Sequence, residues 1–306
     1  MAEDSKIQWT TLTFNHVRGC TKVSAGCANC YAETMSGRNP KVLGVWGPNG
    51  TRVVASEAQW RLPPKWDKAA ALAGERHRVF CASLADVFED WRGPMCDASG
   101  NRLHRGEGWV QGTVISRHWY SESPCDDEPE PLLTMGWVRF RLFDLIEQTP
   151  HLDWLLLTKR PENVAEMVPE KWHDGFPRNV WLGASVENRA EVGRIDVLRR
   201  VTAAVRFLSV EPLLEDLGRL DLSGIDWVIV GGESGRGARP MNVEWARALV
   251  AQCRAAGVKV FVKQMGSNPQ FQTPDMHGPQ LLTLRDRKGG EVDEFPDDLR
   301  VREFPR

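Results

Sequence analysis

From residue 154 onward, short apolar segments recur along this chain at intervals of about 20 to 30 residues, and this spacing limits the fold more than any other feature. Each segment has the length and composition of a strand that is buried on both faces. The interval leaves room for one helix, which is the connection that parallel strands need. The spacing therefore predicts an α/β fold built on a parallel sheet. The predicted strands are residues 9–14, 79–83, 154–158, 180–186, 205–210, 227–232 and 258–263.

Helical periodicity occupies several of the intervals. Apolar residues recur three and four positions apart over residues 137–148, 189–200 and 243–257, which predicts amphipathic helices there. The seven strand–helix units predict a full or partial α/β barrel with parallel strands, and a doubly wound open sheet is the alternative. In both folds the active site lies at the carboxyl ends of the strands.

One interval, residues 79–154, is too long for a single helix. It contains residues 93–131, which are polar and rich in proline and glycine, and we interpret this segment as a loop insertion. A zinc site within it is one further possibility. Cys96 and Cys125 would contribute to such a site together with the two histidines between them, His104 and His118.

The strand pattern also predicts the domain boundaries. Residues 1–265 form the predicted barrel domain, and residues 266–306 form a C-terminal extension packed on it. Within that extension, residues 281–296 predict a hairpin around Gly289 and Gly290, because a glycine pair suits a tight turn between strands.

Charge and hydropathy argue against two classes of function. The 306 residues carry a formal net charge of −2 and a pI near 6.4, so a general polyanion-binding surface is not expected. The sequence has no apolar run of about 18 residues and no signal-peptide core, so we expect no membrane association. We expect a cytoplasmic protein, in which thiols stay reduced.

Three of the seven cysteines lie within eleven residues, namely Cys20, Cys27 and Cys30. In a reducing compartment such a cluster indicates metal binding, because thiolates are ligands for soft metals. A closed zinc site needs four ligands, whereas an iron–sulfur cluster with three protein ligands leaves one iron open. The sequence favours the iron–sulfur cluster. Zinc with a remote fourth ligand such as His16, and a loop without metal, are the alternatives. Cys81 and Cys253 lie on apolar faces and are predicted core residues.

Polar and charged residues follow the predicted strands where each strand ends. Because these ends meet at one edge of a parallel sheet, we expect the side chains to lie together. The cations favour an anionic substrate such as a nucleotide or a nucleic acid, since ammonium and guanidinium groups bind phosphate. A salt-bridge network with the glutamates at the same ends is the alternative. The candidate substrate or phosphate ligands are Lys159, Arg160, Arg236, Arg239, Lys263 and Gln264, and the glutamates are Glu187, Glu211 and Glu233.

Seven stretches over nearly the whole chain carry a resemblance to a known family: "TFNHVRGCTKVSAGCANCYAE" (13–33), "VFCASLADVFED" (79–90), "LLLTKRPEN" (155–163), "NVWLGASVEN" (179–188), "RFLSVEPLLE" (206–215), "DWVIVGGESGRGARPM" (226–241) and "VKVFVKQMG" (258–266). The chain resembles uncharacterised phage and bacterial three-cysteine proteins, which are similar to radical S-adenosylmethionine enzymes. The resemblance implies a barrel in which three cysteines hold a 4Fe-4S cluster and S-adenosyl-L-methionine binds the open iron. It also implies a protein of a bacterium or of a phage-infected host.

The cysteine spacing differs from the usual pattern of that superfamily, which is C-x3-C-x2-C with an aromatic residue before the third cysteine. Here six residues separate Cys20 from Cys27. Asn29 precedes Cys30, and the aromatic residue, Tyr31, follows it. The loop is therefore longer than in the mainstream enzymes, and its aromatic side chain lies on the other side of the third cysteine.

The resemblance also implies residues that bind S-adenosylmethionine. The stretch "GGE" at residues 231–233 resembles the superfamily element that binds the amino group of this cofactor. Two strands end in Ser-Val-Glu, and we interpret these residues as further cofactor or network ligands. The predicted cofactor-binding residues are Gly231, Gly232, Glu233, Ser185, Glu187, Ser209, Glu211 and Tyr31.

The sequence and the resemblance together predict a radical S-adenosylmethionine enzyme. Its expected reaction is the modification or repair of a nucleotide or nucleic-acid base through a 5′-deoxyadenosyl radical. Such chemistry implies an external electron donor. A protein partner is a further possibility. The alternative is a metal-stabilised module that binds nucleic acid or a partner protein without turnover.

Overall fold

The structure, a computed structural model, describes residues 5–104, 132–271 and 278–305. Its strands, in chain order, are β1 (Leu12–Thr13), β2 (Val17–Arg18), β3 (Arg52–Val54), β4 (His77–Cys81), β5 (Met95–Cys96), β6 (Leu152–Thr158), β7 (Val180–Ser185), β8 (Val205–Val210), β9 (Trp227–Gly231), β10 (Met241–Asn242), β11 (Lys259–Gln264), β12 (Pro269–Phe271) and β13 (Gln280–Leu281).

The α-helices of the described residues alternate with many of these strands. They are α1 (Tyr31–Arg38), α2 (Pro40–Leu43), α3 (Glu57–Trp60), α4 (Leu62–Ala73), α5 (Met135–Gln148), α6 (Val164–Met167), α7 (Arg194–Arg199) and α8 (Val243–Ala256). Within these ranges no helix is long and apolar enough to cross a membrane.

The main sheet of the described chain has seven strands in the order β1-β4-β6-β7-β8-β9-β11, and every neighbouring pair is parallel. The spatial order is the order along the sequence. The predicted parallel α/β fold is confirmed, and the doubly wound alternative is wrong, because in a doubly wound sheet the strand order reverses partway. The first strand is shorter than predicted, with two residues instead of six.

The sheet is strongly curled. The ring of Trp9, just before β1, lies 6.2 Å from the ring of Trp227 in β9. These strands are five steps apart in the sheet order, and five steps across a flat sheet would span about 24 Å. The two strands at the ends of the order, β1 and β11, stay unpaired with each other, so the sheet forms a partial barrel.

Aromatic side chains fill the inside of this partial barrel at its amino-terminal end. Gly183 in β7 provides space for one of them, because a Cβ there would lie 2.3 Å from the ring of Phe207. The chain uses three of its 13 tryptophans in this layer, which accounts for part of that unusual number. The buried members of the layer are Trp9, Phe80, Leu155, Trp181, Val205, Phe207, Trp227, Ile229 and Phe261.

Amphipathic helices cover the outside of the sheet. Thr134 is the N-cap residue of α5, and its side chain accepts a hydrogen bond from the backbone N–H of Trp137. Gly257 is the C-cap residue of α8 and has a φ of 69°. The predicted helices 137–148 and 243–257 agree with α5 and α8 to within two residues at each end.

The predicted helix at residues 189–200 is wrong in part. A 3-10 turn at Arg189–Glu191 is followed, after Gly193, by the six-residue helix α7. Glycine is a poor residue for the interior of a helix, and here it separates the two pieces. The connection from β8 to β9, residues 211–226, contains no helix, so the strand–helix unit does not repeat seven times.

The predicted hairpin around Gly289 and Gly290 is also wrong. Strand β13 pairs antiparallel with β12, and a 3-10 turn occupies Val292–Glu294. The carbonyl of Gly289 accepts a hydrogen bond from the N–H of Met265 at 2.7 Å, so a distant segment holds this turn.

The last described residues lie along the exposed edge of β11. The N–H of Val262 donates to the carbonyl of Val301, and the N–H of Glu303 donates to the carbonyl of Val260. The ring of Phe304 then lies 5.3 Å from Phe261 and beneath the guanidinium of Arg78 in β4. This segment therefore closes the aromatic end of the partial barrel.

The start of the predicted insertion is ordered structure. Strand β5 pairs with β3 in a small sheet with β2, and Cys96 is buried there. Bridges join Cys96 to Arg102 and His104 to Leu132. The insertion begins with a strand because the apolar pair Met95-Cys96 adds to this small sheet. Cys125 and His118, the other predicted ligands of a zinc site, lie outside the described residues.

Candidate functional site

A loop from Gly19 to Cys30 carries the three neighbouring cysteines and connects β2 to α1. Gly19 has a φ of +111°, and a Cβ there would lie 2.6 Å from the carbonyl oxygen of Thr51, so only glycine fits this turn. Cys30 is the N-cap residue of α1. The thiols of Cys20, Cys27 and Cys30 are free and half-buried. We call residues 19–30 the cysteine loop.

Side chains from the carboxyl ends of three strands hold the cysteine loop in place. Each contact reaches across the top of the sheet, so the loop lies over the mouth of the partial barrel. The hydrogen bonds run from Arg160 to the Thr21 carbonyl (2.7 Å), from Ser24 to Glu187 (3.0 Å), from Asn29 to Glu233 (2.8 Å) and from Arg239 to the Ala25 carbonyl (2.8 Å).

Glu187, just after β7, is the most enclosed of the predicted glutamates and is fully buried. Its carboxylate pairs with Lys159 at 3.0 Å and with Arg194 at 2.9 Å. Burial alone would raise the pKa of Glu187, but the charges of Lys159 and Arg194 outweigh it and hold that pKa below its ordinary value. Gly26 packs directly on this carboxylate, since a Cβ at residue 26 would lie 2.2 Å from Oε1.

Glu233, in the predicted "GGE" element, is bonded to protein groups on both oxygens. Its Oε1 accepts from Nη2 of Arg239, and its Oε2 accepts from Nε of Arg239 at 3.0 Å, from the backbone N–H of Arg239 at 2.9 Å and from the side-chain amide of Asn29. Burial would raise the pKa of Glu233, but the hydrogen bonds from Arg239 and Asn29 lower it. The carboxylate therefore anchors the cysteine loop in this structure.

The neighbouring glycines and Gln264 also have structural partners. A Cβ on Gly232 would lie 2.2 Å from the carbonyl oxygen of Met265, so glycine allows the two strand ends to approach closely. The amide of Gln264 donates to the carbonyl of Gly232 at 2.7 Å. Gly232 and Gln264 thus have a structural role in packing the two strand ends together. Their predicted roles in binding a cofactor or substrate stay predictions.

A second lysine–glutamate pair lies on the other side of the mouth. Lys263, at the end of β11, donates to Glu211, which follows β8. Gly231 in β9 lies between them, and a Cβ there would lie 3.4 Å from Glu211. Glycine therefore leaves room for the pair to form across β9.

Ser185 and Ser209 occupy the middle of the mouth. They are direct partners in the register of β7 and β8, and both are buried. Counting back along β8 by two residues reaches Phe207 of the aromatic layer, so Ser209 faces the inside of the barrel above it. The inner wall is therefore apolar below and polar at the mouth, flanked by the two lysine–glutamate pairs.

Arg160 contacts the first cysteine directly. Its Nη1 lies 3.8 Å from the Sγ of Cys20 and 2.9 Å from the carboxylate of Asp86, and its Nη2 lies 3.7 Å from Glu89. Burial and the nearby charges of Asp86 and Glu89 raise the pKa of Cys20 to about 12, and Arg160 opposes that rise.

Two other predicted residues lie at the rim. Tyr31 is half exposed, and its hydroxyl donates to the carbonyl of Ser83 at 2.6 Å. Arg236 is exposed to solvent. The predicted salt-bridge alternative is present in the structure, because all three glutamates, at residues 187, 211 and 233, have cationic partners.

His16 does not reach the cysteine loop, so the prediction of a fourth zinc ligand at this residue is wrong. Its ring is fully buried, and Nδ1 lies 3.7 Å from the Sγ of Cys81. Burial first, and the charge of Arg139 second, lower the pKa of His16 to about 3. The predicted core positions of Cys81 and Cys253 are confirmed, since both are fully buried.

Among the described residues, no group of three or more His, Cys, Asp or Glu side chains is arranged to hold a single metal ion. A cavity of about 930 Å³ lies at the opposite, amino-terminal end of the sheet, beside Val205, Asp226 and Lys259. It is therefore separate from the cysteine loop and the polar strand ends.

Sequence reasoning missed four residues that hold the site together, namely Ser24, Asn29, Glu89 and Arg194. Asn29 and Ser24 lie inside the cysteine loop, and their polar side chains were the sequence feature that could have indicated their contacts with the strand ends. No pattern in the sequence pointed to Arg194, because its role depends on where α7 begins.

The fold and the mouth define an α/β partial-barrel protein with a three-cysteine loop over its strand ends. The chain belongs to the family described as "Protein of unknown function (DUF5131)", whose model matches residues 4–92 and 132–296. The match omits residues 93–131, the segment interpreted above as an insertion.

Other comparisons add little to this. No match was found among curated proteins. Among solved structures, a mutant of spore photoproduct lyase is similar, with 14% sequence identity and a TM-score of 0.46. That similarity covers 98% of this chain and 75% of the other one. At this level it carries no conclusion about what the chain does.

Proposed function

We propose that this chain is an iron–sulfur enzyme of the radical S-adenosylmethionine type. In this proposal Cys20, Cys27 and Cys30 bind a 4Fe-4S cluster, and S-adenosylmethionine binds its open iron. The observation that carries the proposal is the position of the cysteine loop. Polar contacts from three strand ends hold it over the mouth of a parallel partial barrel, where the active sites of such sheets lie.

The donor chemistry of the loop fits such a cluster. Its three thiols are free, and a loop with a glycine in direct contact with Glu187 lies close against the mouth. A single zinc ion needs all its ligands about 2.3 Å from one point, and the described residues offer no such group. In a four-iron cluster each cysteine binds a different iron, so the sulfurs need not converge on one point.

A cluster bound by Cys20, Cys27 and Cys30 would supply the electron for reductive cleavage of S-adenosylmethionine to methionine and a 5′-deoxyadenosyl radical. The chain's own residues would orient the cofactor and limit the access of water. The inner wall offers the hydroxyls of Ser185 and Ser209 for this, above an apolar layer that closes the other end. The lysine–glutamate pairs on both sides give the mouth fixed charges of both signs.

The substrate that we propose is a nucleotide or nucleic-acid base. The support is the group of cations at the mouth, of which Arg236 is exposed to solvent. A low-potential protein or chemical donor must provide the electron, so the enzyme needs an external reductant.

The test is anaerobic reconstitution with iron and sulfide. The expected product is brown protein with about four iron atoms per chain, and Cys30→Ala should lose that colour. Reduced protein mixed with S-adenosylmethionine should then form 5′-deoxyadenosine and methionine. Colourless protein with one zinc per chain after the same procedure would refute the proposal.

A second candidate is a metal-stabilised module that binds nucleic acid or a partner protein without turnover. The observation that favours it is that all three mouth glutamates already pair with cations of the chain. This candidate predicts that the reconstituted protein neither binds S-adenosylmethionine in equilibrium dialysis nor forms 5′-deoxyadenosine with any reductant.

A further inference from the structure

Two consecutive cations follow β6, and one contacts a cysteine of the loop directly while the other is connected to the loop through Glu187. Arg160 contacts Cys20, with Nη1 at 3.8 Å from Sγ, and donates to the neighbouring Thr21 carbonyl at 2.7 Å. This arrangement is specific, because the same guanidinium binds both the sulfur and the backbone beside it.

Lys159 approaches Cys27 through a short chain of contacts. Its Nζ lies 3.0 Å from Glu187, and Glu187 accepts a hydrogen bond from Ser24 at 3.0 Å. The Oγ of Ser24 in turn lies 3.8 Å from the Sγ of Cys27. Contacts of 3.0, 3.0 and 3.8 Å therefore connect the ammonium group of Lys159 to the sulfur of Cys27.

Both cations are held rigidly. The Arg160 side chain is 9% exposed and is fixed by Asp86 at 2.9 Å. The Lys159 side chain is 24% exposed and pairs with a glutamate that solvent does not reach. Charges in such surroundings interact more strongly than in water, because the effective dielectric constant is lower.

We propose that Lys159 and Arg160 are positioning residues whose positive charges, fixed beside the cysteine loop, favour the reduced form of the cluster. This inference rests on the proposed function. Reduction moves one electron from the external donor to the bound cluster, which gains one negative charge while the donor is oxidised. A nearby positive charge stabilises the more negative form, so each cation raises the midpoint potential.

The experiment is a redox titration of the reconstituted protein, followed by electron paramagnetic resonance and visible absorption. Arg160→Gln and Lys159→Met should each shift the midpoint potential to more negative values. Arg160→Lys keeps the charge without the two-point geometry of guanidinium, so its potential should lie between those of the wild type and Arg160→Gln.

Arg76→Gln is the matched control. Arg76 pairs with Asp153 at the opposite end of the same strand, roughly 20 Å along β6 from Arg160. Its removal deletes an equivalent ion pair, and the midpoint potential should stay at the wild-type value.

The outcomes separate the two proposals. If the wild type takes up no iron and sulfide, the proposed function fails. If Arg160→Gln and Lys159→Met hold the cluster with an unchanged potential, the inference is wrong. If Arg160→Gln loses the cluster while Arg160→Lys keeps it, the charge at residue 160 is required and the inference is supported. Loss of the cluster in both Arg160→Gln and Arg160→Lys contradicts the inference, because a positive charge at residue 160 then has no effect by itself.

Discussion

The two ends of the partial barrel are built from the same strands but have opposite chemistry. At the amino-terminal end, which we call the lower end, the inward residues are aromatic and aliphatic, including Trp181, Phe207 and Trp227. At the carboxyl end, which we call the upper end, the inward positions of β7 and β8 are serines, and charged residues follow the strands. The lower end therefore contributes stability through buried apolar surface, whereas the upper end holds polar groups in fixed positions at the expense of such burial.

The comparison predicts that the lower end dominates stability. Trp227→Ala removes a fully buried ring that contacts Trp9, Phe207 and Phe261, and we expect a loss of roughly 3–5 kcal/mol in the free energy of unfolding. Urea unfolding measures this change. Leu72→Ala in α4 is the control, because Leu72 is 81% exposed and should change stability by less than about 0.5 kcal/mol. Equal losses of stability in Trp227→Ala and Leu72→Ala would contradict the prediction that the lower end dominates stability.

At the upper end we expect the largest effect at the glycine that touches Glu187. Gly26→Ala places a methyl group on a carboxylate that Lys159 and Arg194 hold in place, so the loop must shift. We expect a cost of about 1–3 kcal/mol in unfolding and a lower iron content after reconstitution.

A matched glycine tests whether this effect comes from the contact. Gly37→Ala lies within α1, and a Cβ there meets no atom within 4 Å. This substitution should stabilise the protein by about 0.5–1 kcal/mol, because alanine favours the helix. If Gly26→Ala behaves in the same way, the close packing of the loop on Glu187 is not needed.

The hydrogen bond from Ser24 should matter less. Ser24→Ala removes one donor to Glu187, but Lys159 and Arg194 still pair with that carboxylate. We expect a loss of about 1 kcal/mol in thermal or urea unfolding. Ser24→Thr keeps the hydroxyl and should restore the wild-type value, and a threonine variant as unstable as the alanine variant would show that another contact is responsible.

The smallest effect should be at Glu233, and it should depend on pH. The folded-state pKa of Glu233 lies below its ordinary value of 4.5, so the ionised carboxylate stabilises the fold above that pH. This stabilisation is lost as the pH falls through the lower folded-state pKa. Glu233→Gln keeps the shape of the side chain, so it should be slightly less stable than the wild type at pH 7 and equally stable in acid. A difference that persists in acid would exclude the charge as its origin.

Much of the lower end could be predicted from the sequence. The apolar runs mark the strands because burial on both faces demands them, and their spacing gives the parallel order. The curl of the sheet could not be predicted, because a run that is apolar throughout does not reveal which residues face inward. Trp181 and Leu182 are equally apolar, yet they lie in separate core clusters on opposite faces of β7.

At the upper end, the sequence indicated which residues meet but not which residues pair. Parallel strands bring their carboxyl ends together, so Glu187 and Lys159 could be expected at one mouth. The partners from the loop could not, because Ser24 is 163 residues from Glu187 and Asn29 is 204 residues from Glu233. The predicted hairpin near Gly289 failed for the same reason, since its carbonyl binds Met265 instead of a local partner.

The residues that run along β11 have a consequence for self-association. An uncovered strand edge is a template on which other chains can pair and aggregate. Here residues 301–303 hydrogen-bond to the six-residue edge strand β11, and the opposite edge strand, β1, is only two residues long. Removing the covering segment should therefore promote aggregation as well as unfolding.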